Sequence, residues 1–253
     1  MRSIDLNCDM GESFGAWKMG NDEALLDYVT SANIACGFHA GDPTTIRKTI
    51  ELAVEKDVAV GAHPSYPDLQ GFGRRNVSMS SGEVYDLVLY QVAAVKGICE
   101  AAGARLHHVK PHGALYNQAA RSAELSSVIA KAVRSIDEEL ILYGLAGSSL
   151  ISEGRNVGLK TAAEVFADRT YQPDGTLTPR LQPDALISDT GEAVVQAVEM
   201  IEEGRVKCAG GEIVLVNAET ICVHGDGPNA IEFVRALRNA FAERNIDVRT
   251  ISK

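Results

Sequence analysis

Short apolar runs rich in β-branched residues alternate with longer segments of helical periodicity along this chain. The short runs predict strands at 4–7, 33–36, 58–62, 106–110, 140–144, 159–165, either 212–216 or 220–224, and 246–250. The longer segments predict helices at 43–55, 81–102, 123–135, 147–153, 191–203 and 228–244. Because this alternation is typical of parallel strands joined by helical crossovers, the sequence predicts an α/β fold.

The chain carries no internal repeat and no Pro/Gly/Ser-rich linker that would divide it. Residues 1–253 are therefore predicted to form a single domain, a (β/α) barrel, with an open doubly wound sheet as the alternative. Both architectures bind their ligands at the carboxyl ends of the strands. Residues with useful chemistry at the ends of the predicted strands thus become candidates for one shared site.

The histidines of this chain lie near the ends of the predicted strands. All six lie in or just after strand-like runs: His39, His63, His107, His108, His112 and His224. Asp5, Asn7 and Asp9 occupy alternate positions of the first strand, so their side chains point to the same face. Asp9 and Glu12 follow where that strand opens into a loop, so either carboxylate can serve as a general base or a metal ligand. For Asp5 and Asn7, hydrogen bonding inside the barrel explains the polarity equally well.

Asp9, His39 and His63 together offer the mixed oxygen and nitrogen ligands of a divalent metal. No fixed-spacing motif such as HExxH supports this set, so its convergence depends wholly on the predicted barrel. A metal held by these three residues is therefore a hypothesis at this point.

Lys110 and His112 lie two and four residues after His108, so all three point to the same face if the fourth predicted strand continues through them. A lysine among histidines can stabilise developing negative charge, or it can act as a base if its pKa is lowered. Lys110 and His112 are catalytic candidates, because a proline and a glycine flank His112 in a short turn. His107 and His108 are interpreted as hydrogen-bonded structural residues.

Two long irregular segments, 64–79 and 166–189, carry arginines that could hold an anionic group. The substrate-binding candidates are Asn7, Arg74, Arg169, Arg180 and Asp226. The second segment mixes aromatic, arginine and turn residues, which favours a lid or a partner-docking loop over a floppy insertion. Asp226 could orient His224, a further catalytic candidate, or it could cap the helix that follows.

Charge, apolar runs, cysteines and motifs exclude several classes of protein. A formal charge of −10 and a pI near 5.1 argue against nucleic acid or an anionic membrane surface as the main partner. Neither a membrane-spanning run nor a secretory signal is found, which predicts a cytoplasmic protein. Five cysteines without a CxxC pair argue against a disulfide framework, although Cys8, Cys36 and Cys222 leave a thiol nucleophile as an alternative. The sequence contains no GxxxxGK[ST] or GxGxxG motif.

Seven motifs follow one another along the chain: DLNCDMGE, NIACGFHAGDP, GAHPSYPDLQGFGRR, VKPHGALYN, EVFADRTY, LTPR and ICVHGD. In this combination the chain resembles the LamB/YcsF family, which is associated with the A subunit of the ATP-dependent prokaryotic 5-oxoprolinase. The resemblance covers nearly the whole chain. It implies a seven-stranded (β/α) barrel similar to polysaccharide deacetylases, and a role in opening 5-oxo-L-proline to L-glutamate with hydrolysis of ATP.

The resemblance also implies two partner subunits, B and C, with ATP acting in the complex. Under this hypothesis Asp9 with His39 or His63 activates water, directly or through a metal. Lys110 and His112 stabilise the oxyanion and protonate the leaving nitrogen.

Arg74 or Arg180 would then hold the substrate carboxylate. Two alternatives stay open: a metal-dependent carbohydrate deacetylase or amidohydrolase that needs no ATP, and a non-catalytic subunit that binds the lactam for its partners. A homo-oligomer is also left open.

Overall fold

Seven parallel strands close into a barrel in the computed structural model, which describes residues 2–223 and 230–252. The barrel strands are β1 Ser3–Met10, β2 Ser31–Ala35, β3 Ala59–His63, β4 His108–Val109, β5 Ile141–Leu145, β6 Lys160–Phe166 and, ninth in chain order, β9 Thr220–Val223. β9 pairs with both β6 and β1. That double pairing closes the sheet, so the barrel prediction is confirmed and the open doubly wound alternative is wrong.

Helices on the outside connect the strands. They are α1 Asp22–Leu25, α2 Pro43–Glu55, α3 Ser81–Ala101, α4 Gly113–Arg121, α5 Ala123–Ile136, α6 Ser149–Asn156, α7 Thr190–Glu202 and α8 Ala230–Glu243. The periodicity missed α1 because a single turn carries no repeat, and it missed α4 because that helix begins directly at the turn after β4. Among the described residues, none of the helices has the length and apolar character needed to cross a bilayer.

The two alternatives for the seventh strand turn out to be two different strands. The 220–224 alternative corresponds to β9 in the barrel, whereas β8 Ile213–Leu215 pairs antiparallel with β7 Arg205–Lys207 in a separate hairpin. The last predicted strand is β10 Asp247–Val248, which pairs with the first residues of β1. It therefore extends the sheet at the amino end of β1 without entering the closed ring.

Alternating side chains of β1 face opposite environments. Ile4 and Leu6 are at most 1% exposed and pack into the apolar core between strands and helices. Asp5, Asn7 and Asp9 point into the barrel, which confirms the parity predicted for this strand. The barrel is thus lined by polar groups, unlike the aliphatic layers that fill the interior of a (β/α)₈ barrel.

Two glycines let the loop between β3 and α3 pack against the start of α4. Gly73 and Gly113 have φ values of +62° and +55°, where side chains are disfavoured. A Cβ on Gly113 would lie 2.5 Å from the carbonyl oxygen of Gly73. That same oxygen accepts a hydrogen bond from the backbone N–H of Ala114 at 2.9 Å. This close approach brings the loop over the carboxyl end of the barrel.

Gly113→Ala should therefore destabilise the protein by at least about 1–2 kcal/mol, the cost of left-handed backbone for a residue with a Cβ. Gly97→Ala is the matched control, because Gly97 is exposed inside α3 and its added Cβ meets nothing within 4 Å. The control should stabilise the protein by about 0.5–1 kcal/mol. Urea unfolding measures both effects. Equal effects of the two substitutions would contradict the proposed close approach.

Candidate functional site

The carboxyl ends of the barrel strands open into a cavity of about 1080 Å³. Eight of the predicted site residues line it: Asp9, Glu12, His63, Arg74, Lys110, His112, Arg169 and Arg180. His39 and Asn7 are fully buried and do not line the cavity. His224 and Asp226 lie outside the described residues.

Polar residues of β1 form three levels between the floor of the barrel and the cavity. Asp5 lies at the floor and accepts hydrogen bonds from the hydroxyls of Ser31 and Thr220, each at 2.6 Å. Burial raises the pKa of the Asp5 carboxyl, although these hydroxyl groups oppose the rise. Asn7 lies one level higher and Asp9 lies at the cavity. Of the three, Asp9 alone lines the cavity.

Three imidazoles and a carboxylate meet beside Asp9. The rings of His39 and His112 stack with centroids 4.0 Å apart, and His63 meets His112 edge-on at 4.8 Å. One ligand atom from each of these three histidines and one from Glu12 all lie within 4.8 Å of one another. We call these four residues the histidine cluster. Two of the three predicted metal ligands, His39 and His63, belong to it, and Asp9 Oδ2 lies 3.2 Å from Nε2 of His63.

Backbone carbonyls fix the tautomers of two of these rings. His63 Nδ1 lies 2.6 Å from the carbonyl oxygen of Lys110, and His112 Nε2 lies 2.9 Å from that of Phe72. A carbonyl oxygen only accepts, so both of these nitrogens carry hydrogen. In the neutral rings, His63 Nε2 and His112 Nδ1 then direct their lone pairs at each other across 2.9 Å. A cation between them would remove this repulsion.

His39 adds a second sign of a cation site. Neither of its ring nitrogens has a hydrogen-bond partner among the residues that the structure describes, and the side chain is fully buried. Burial, followed by the charges of His112 and His63, lowers the pKa of His39 well below its ordinary value. Burial and the charge of His63 also lower the pKa of His112.

The histidine cluster therefore fits a divalent metal. The depressed pKa values of two of its rings favour neutral imidazoles, which are metal ligands. Histidines that bind metals usually donate their second ring nitrogen to a carbonyl or carboxylate, as His63 and His112 do here. Glu12 and Asp9 supply oxygen ligands of the kind that zinc sites combine with imidazole.

Lys110 lies on the opposite side of Asp9 and is almost fully buried. Its Nζ is 3.0 Å from Asp9 Oδ1, 2.8 Å from Glu164 Oε1 and 3.1 Å from Cys222 Sγ. Burial disfavours the charged amine, but the carboxylates of Asp9 and Glu164 raise the pKa of Lys110 well above its ordinary value. A permanent ammonium at the cavity can stabilise negative charge, whereas the base with a lowered pKa, considered from the sequence, is not supported.

Three residues of this network were missed in the sequence. Glu164 accepts hydrogen bonds from Tyr116 Oη at 2.6 Å and from Asn7 Nδ2 at 3.0 Å, and it is fully buried. Asn33 Nδ2 donates to Asp9 Oδ1 at 2.9 Å. A single polar residue inside an otherwise apolar strand, as in NIA and AAEVF, was the available signal for Asn33 and Glu164. Tyr116 had no such signal because α4 was not predicted.

The predicted arginines occupy different positions. Arg74 is exposed at the cavity wall, with its guanidinium 4.9 Å from the centre of the Phe72 ring. Arg169 is buried and donates to the carbonyls of Thr178 and Ala185 at 2.6 and 3.1 Å, which ties the 166–189 segment together. Burial and the nearby charge of Arg180 lower the pKa of Arg169 to about 10. Its role is therefore largely to hold the segment in place.

The thiol-nucleophile alternative gains no support. Burial raises the pKa values of Cys8, Cys36 and Cys222 above the ordinary thiol value. A thiol must ionise to act as a nucleophile, so these environments suppress its reactivity.

Comparison with known proteins identifies the family. The model of the LamB/YcsF family matches residues 4–253. The chain belongs to the LamB/YcsF family. It is 57% identical over 253 residues to the 5-oxoprolinase A subunit of Bacillus subtilis strain 168, an alignment that covers 100% of this chain and 98% of that protein. It is also 57% identical over 247 residues to the 5-oxoprolinase A subunit of Bordetella parapertussis, with 98% of both chains covered.

Two solved structures that are similar to this LamB/YcsF member agree with the barrel. The lactam utilization protein of Thermus thermophilus matches with a TM-score of 0.92 and 45% identity, over 98% of this chain and 100% of that one. A family 4 carbohydrate esterase from Streptomyces lividans matches with a TM-score of 0.54 and 14% identity, over 99% and 93% of the two chains. The esterase shares the fold alone, which confirms the expected resemblance to polysaccharide deacetylases.

Proposed function

We propose that this chain is a catalytic subunit of an ATP-dependent 5-oxoprolinase that opens 5-oxo-L-proline to L-glutamate together with partner subunits. The names of relatives at 57% identity over nearly full length support this assignment. The observation that carries the catalytic part is the position of Lys110, a buried ammonium that contacts Asp9 at 3.0 Å on the wall of the cavity. We expect the reaction to take place in the cytoplasm.

Asp9 is the proposed general base. Its Oδ1 accepts from Lys110 and Asn33 at 3.0 and 2.9 Å, while Oδ2 faces His63. Water that attacks the lactam carbonyl gives up a proton to this carboxylate, whose side chain is 13% exposed.

Lys110 is the proposed electrophilic group. Its ammonium faces the former carbonyl oxygen and stabilises the negative charge of the phosphoryl group on it as the carbonyl carbon turns tetrahedral. The proton that Asp9 took from water then reaches the ring nitrogen as the C–N bond breaks. His112 was paired with Lys110 in this role, but both of its nitrogens face other groups, Phe72 and His63. We assign His112 instead to the histidine cluster.

A divalent metal would be held by the histidine cluster, with Asp9 adjacent to it. When bound, such an ion supplies Lewis acidity toward a carbonyl oxygen or toward water. Arg74 and Arg180 line the same cavity and are the proposed partners of the substrate carboxylate, because guanidinium groups bind carboxylates through paired hydrogen bonds.

The requirement for ATP has a chemical reason. A five-membered lactam is a stabilised amide, and phosphorylation of its carbonyl oxygen by ATP, with release of ADP, would create a better electrophile. Water then adds to the carbon and the C–N bond breaks, which leaves an acyl phosphate. A second water hydrolyses this acyl phosphate to the carboxylate of glutamate and free phosphate. Subunits B and C are the proposed partners that bring ATP into the reaction. A metal-dependent amidohydrolase without ATP uses the same groups on this chain, so the partners and the nucleotide are what an experiment must vary.

Reconstitution tests the proposal: glutamate formation from 5-oxoproline is measured with this chain alone, with its partners, and with its partners but no ATP. Formation only in the complete mixture is expected. Ring opening by the partners without this chain would favour an accessory binding role, and ring opening by this chain alone without ATP would favour the amidohydrolase.

Asp9→Asn distinguishes catalysis from binding in the same assay. We expect glutamate formation to fall by about 10²–10⁴-fold, the usual contribution of a general base, while oxoproline binding persists. Asp27→Asn is the control, because the Asp27 side chain is 60% exposed in a surface pair with Lys56. A variant that binds weakly but turns over normally once saturated would contradict a catalytic role.

A further inference from the structure

We propose that His108 is a positioning residue that fixes the orientation of Asp9 through Asn33. This inference rests on the proposed role of Asp9 as the general base. Sequence patterns indicated a structural histidine, and His108 lies below the cavity, fully buried. Its connection to Asp9 follows from the order of donors and acceptors in the barrel.

Lys110 sets that order, because an ammonium only donates. Its Nζ lies 3.2 Å from Asn7 Oδ1, so this amide oxygen accepts. The opposite end of the same amide, Nδ2, donates to Glu164 and to Thr220 at 3.0 and 2.7 Å, which agrees with that orientation. The amide of Asn7 therefore cannot be flipped.

Asn33 is fixed in turn. Its Nδ2 lies 2.7 Å from Asn7 Oδ1 and 2.9 Å from Asp9 Oδ1, two acceptors that require a donor between them. Its Oδ1 consequently faces His108 Nε2 at 2.8 Å and must accept a hydrogen bond from that nitrogen. A flipped Asn33 would place its oxygen against two others, and the hydrogen bond from His108 anchors the opposite end of the amide, which keeps Nδ2 aimed at Asp9.

Neighbouring residues on both sides hold the His108 ring in place. Gly61 on β3 lies beside His108 on β4 in the sheet, and a Cβ at Gly61 would collide with the imidazole. On the other side, Tyr143 stacks on the ring with centroids 4.2 Å apart. His107 Nδ1 contacts His108 Nδ1 at 3.1 Å, so the two ring nitrogens of His108 face different neighbours and Nε2 is the one that donates toward Asn33.

The functional consequence concerns the second oxygen of Asp9. Because Asn33 and Lys110 both donate to Oδ1, the carboxylate presents Oδ2 toward His63 and the histidine cluster. Loss of the His108 hydrogen bond would leave a buried amide oxygen unsatisfied and allow the Asn33 amide to tilt away from Asp9 in search of another partner. Asp9 would then lose its orientation without losing its charge.

His108→Leu and His108→Gln separate positioning from packing. Leucine cannot donate, whereas the glutamine side-chain amide can reach Asn33 Oδ1 from the same position. In the complete enzyme we expect kcat for glutamate formation to fall by about 10–100-fold in the leucine variant, with KM for 5-oxoproline within about twofold of wild type. The glutamine variant should recover most of kcat although both variants lose stability.

Tyr143→Phe is the matched control, because it keeps the ring stacked on His108 and removes only the hydroxyl that donates to Asp5. It should lower stability and leave kcat unchanged. Equal kcat losses in the leucine and glutamine variants, in proportion to their loss of stability, would overturn the positioning role.

A crystal structure of His108→Leu gives a readout that does not depend on activity. Rotation of the Asn33 amide or of the Asp9 carboxylate is expected, and an unchanged orientation of both groups would overturn the inference. An inactive wild-type complex would instead overturn the proposed function. The crystal structure of the leucine variant would still show whether His108 positions Asn33 and Asp9.

Discussion

Replacing Lys110 by methionine should lower the free energy of unfolding by about 3–5 kcal/mol, the usual cost of breaking a buried ion pair. Its side chain is 3% exposed and contacts Glu164, which is fully buried, and Asp9. Removal of the shared cation leaves two carboxylates on opposite sides of the same space. The proposed mechanism also predicts that glutamate formation falls below detection, because no other group takes the place of this ammonium.

Two further variants test whether the loss of stability comes from the buried ion pair of Lys110. Lys96→Met removes an exposed lysine that pairs with Glu100 one helical turn away, and it should cost no more than about 0.5 kcal/mol. Lys110→Met combined with Glu164→Gln should regain part of the lost stability, because one of the two carboxylates is neutralised, yet it should stay inactive. Denaturant unfolding and the reconstituted assay measure both properties. Recovery of activity in the double variant would rule out a direct role for Lys110.

His39→Leu should change stability in opposite directions with and without metal. Without metal, the substitution removes two buried ring nitrogens that have no partner in the described part of the chain, so stability should stay equal or rise. With a divalent ion at about 100 times its dissociation constant, the wild type should gain about 2.7 kcal/mol and the variant much less. Thermal unfolding of chelated and of zinc- or manganese-loaded protein provides the comparison.

The pH dependence of the metal-free protein follows from the same ring. The pKa of His39 is lowered by burial, so the unfolded chain takes up a proton near pH 6.5 that the folded protein does not bind. Stability should therefore fall as the pH drops below about 6.5, and His39→Leu should show a smaller loss. A larger acid sensitivity in the variant, or an unchanged response of both proteins to metal, would contradict the assignment of His39.

Much of this site could be predicted from the sequence, because the alternation of side chains between the two faces of a strand depends only on neighbouring residues. The alternation in β1 correctly placed Asp5, Asn7 and Asp9 on the inner face, and strand ends correctly grouped Asp9 with His63. The partner of an inward-facing residue is not local. Asn7 meets Glu164, 157 residues away, and no periodicity in either strand specifies that pairing.

Protonation was the least predictable property. A lysine near histidines permitted either a raised or a lowered pKa, and the two carboxylates that decide the direction for Lys110 come from β1 and β6. The contact that favours the histidine cluster as the place of His112 was not visible for a related reason. The carbonyl of Phe72, brought close by the turn at Gly73, takes one of its nitrogens.

The polar lining of the barrel limits how this protein can acquire new substrates. Each amide from the floor to Asp9 has its orientation imposed by its neighbours, so a single exchange on an inner strand face disturbs several hydrogen bonds at once. Exposed positions that line the cavity in the segments 64–79 and 166–189, such as Arg74 and Leu181, tolerate change more readily. Selection for another cyclic amide should therefore accumulate substitutions in these two segments first and leave the strands untouched.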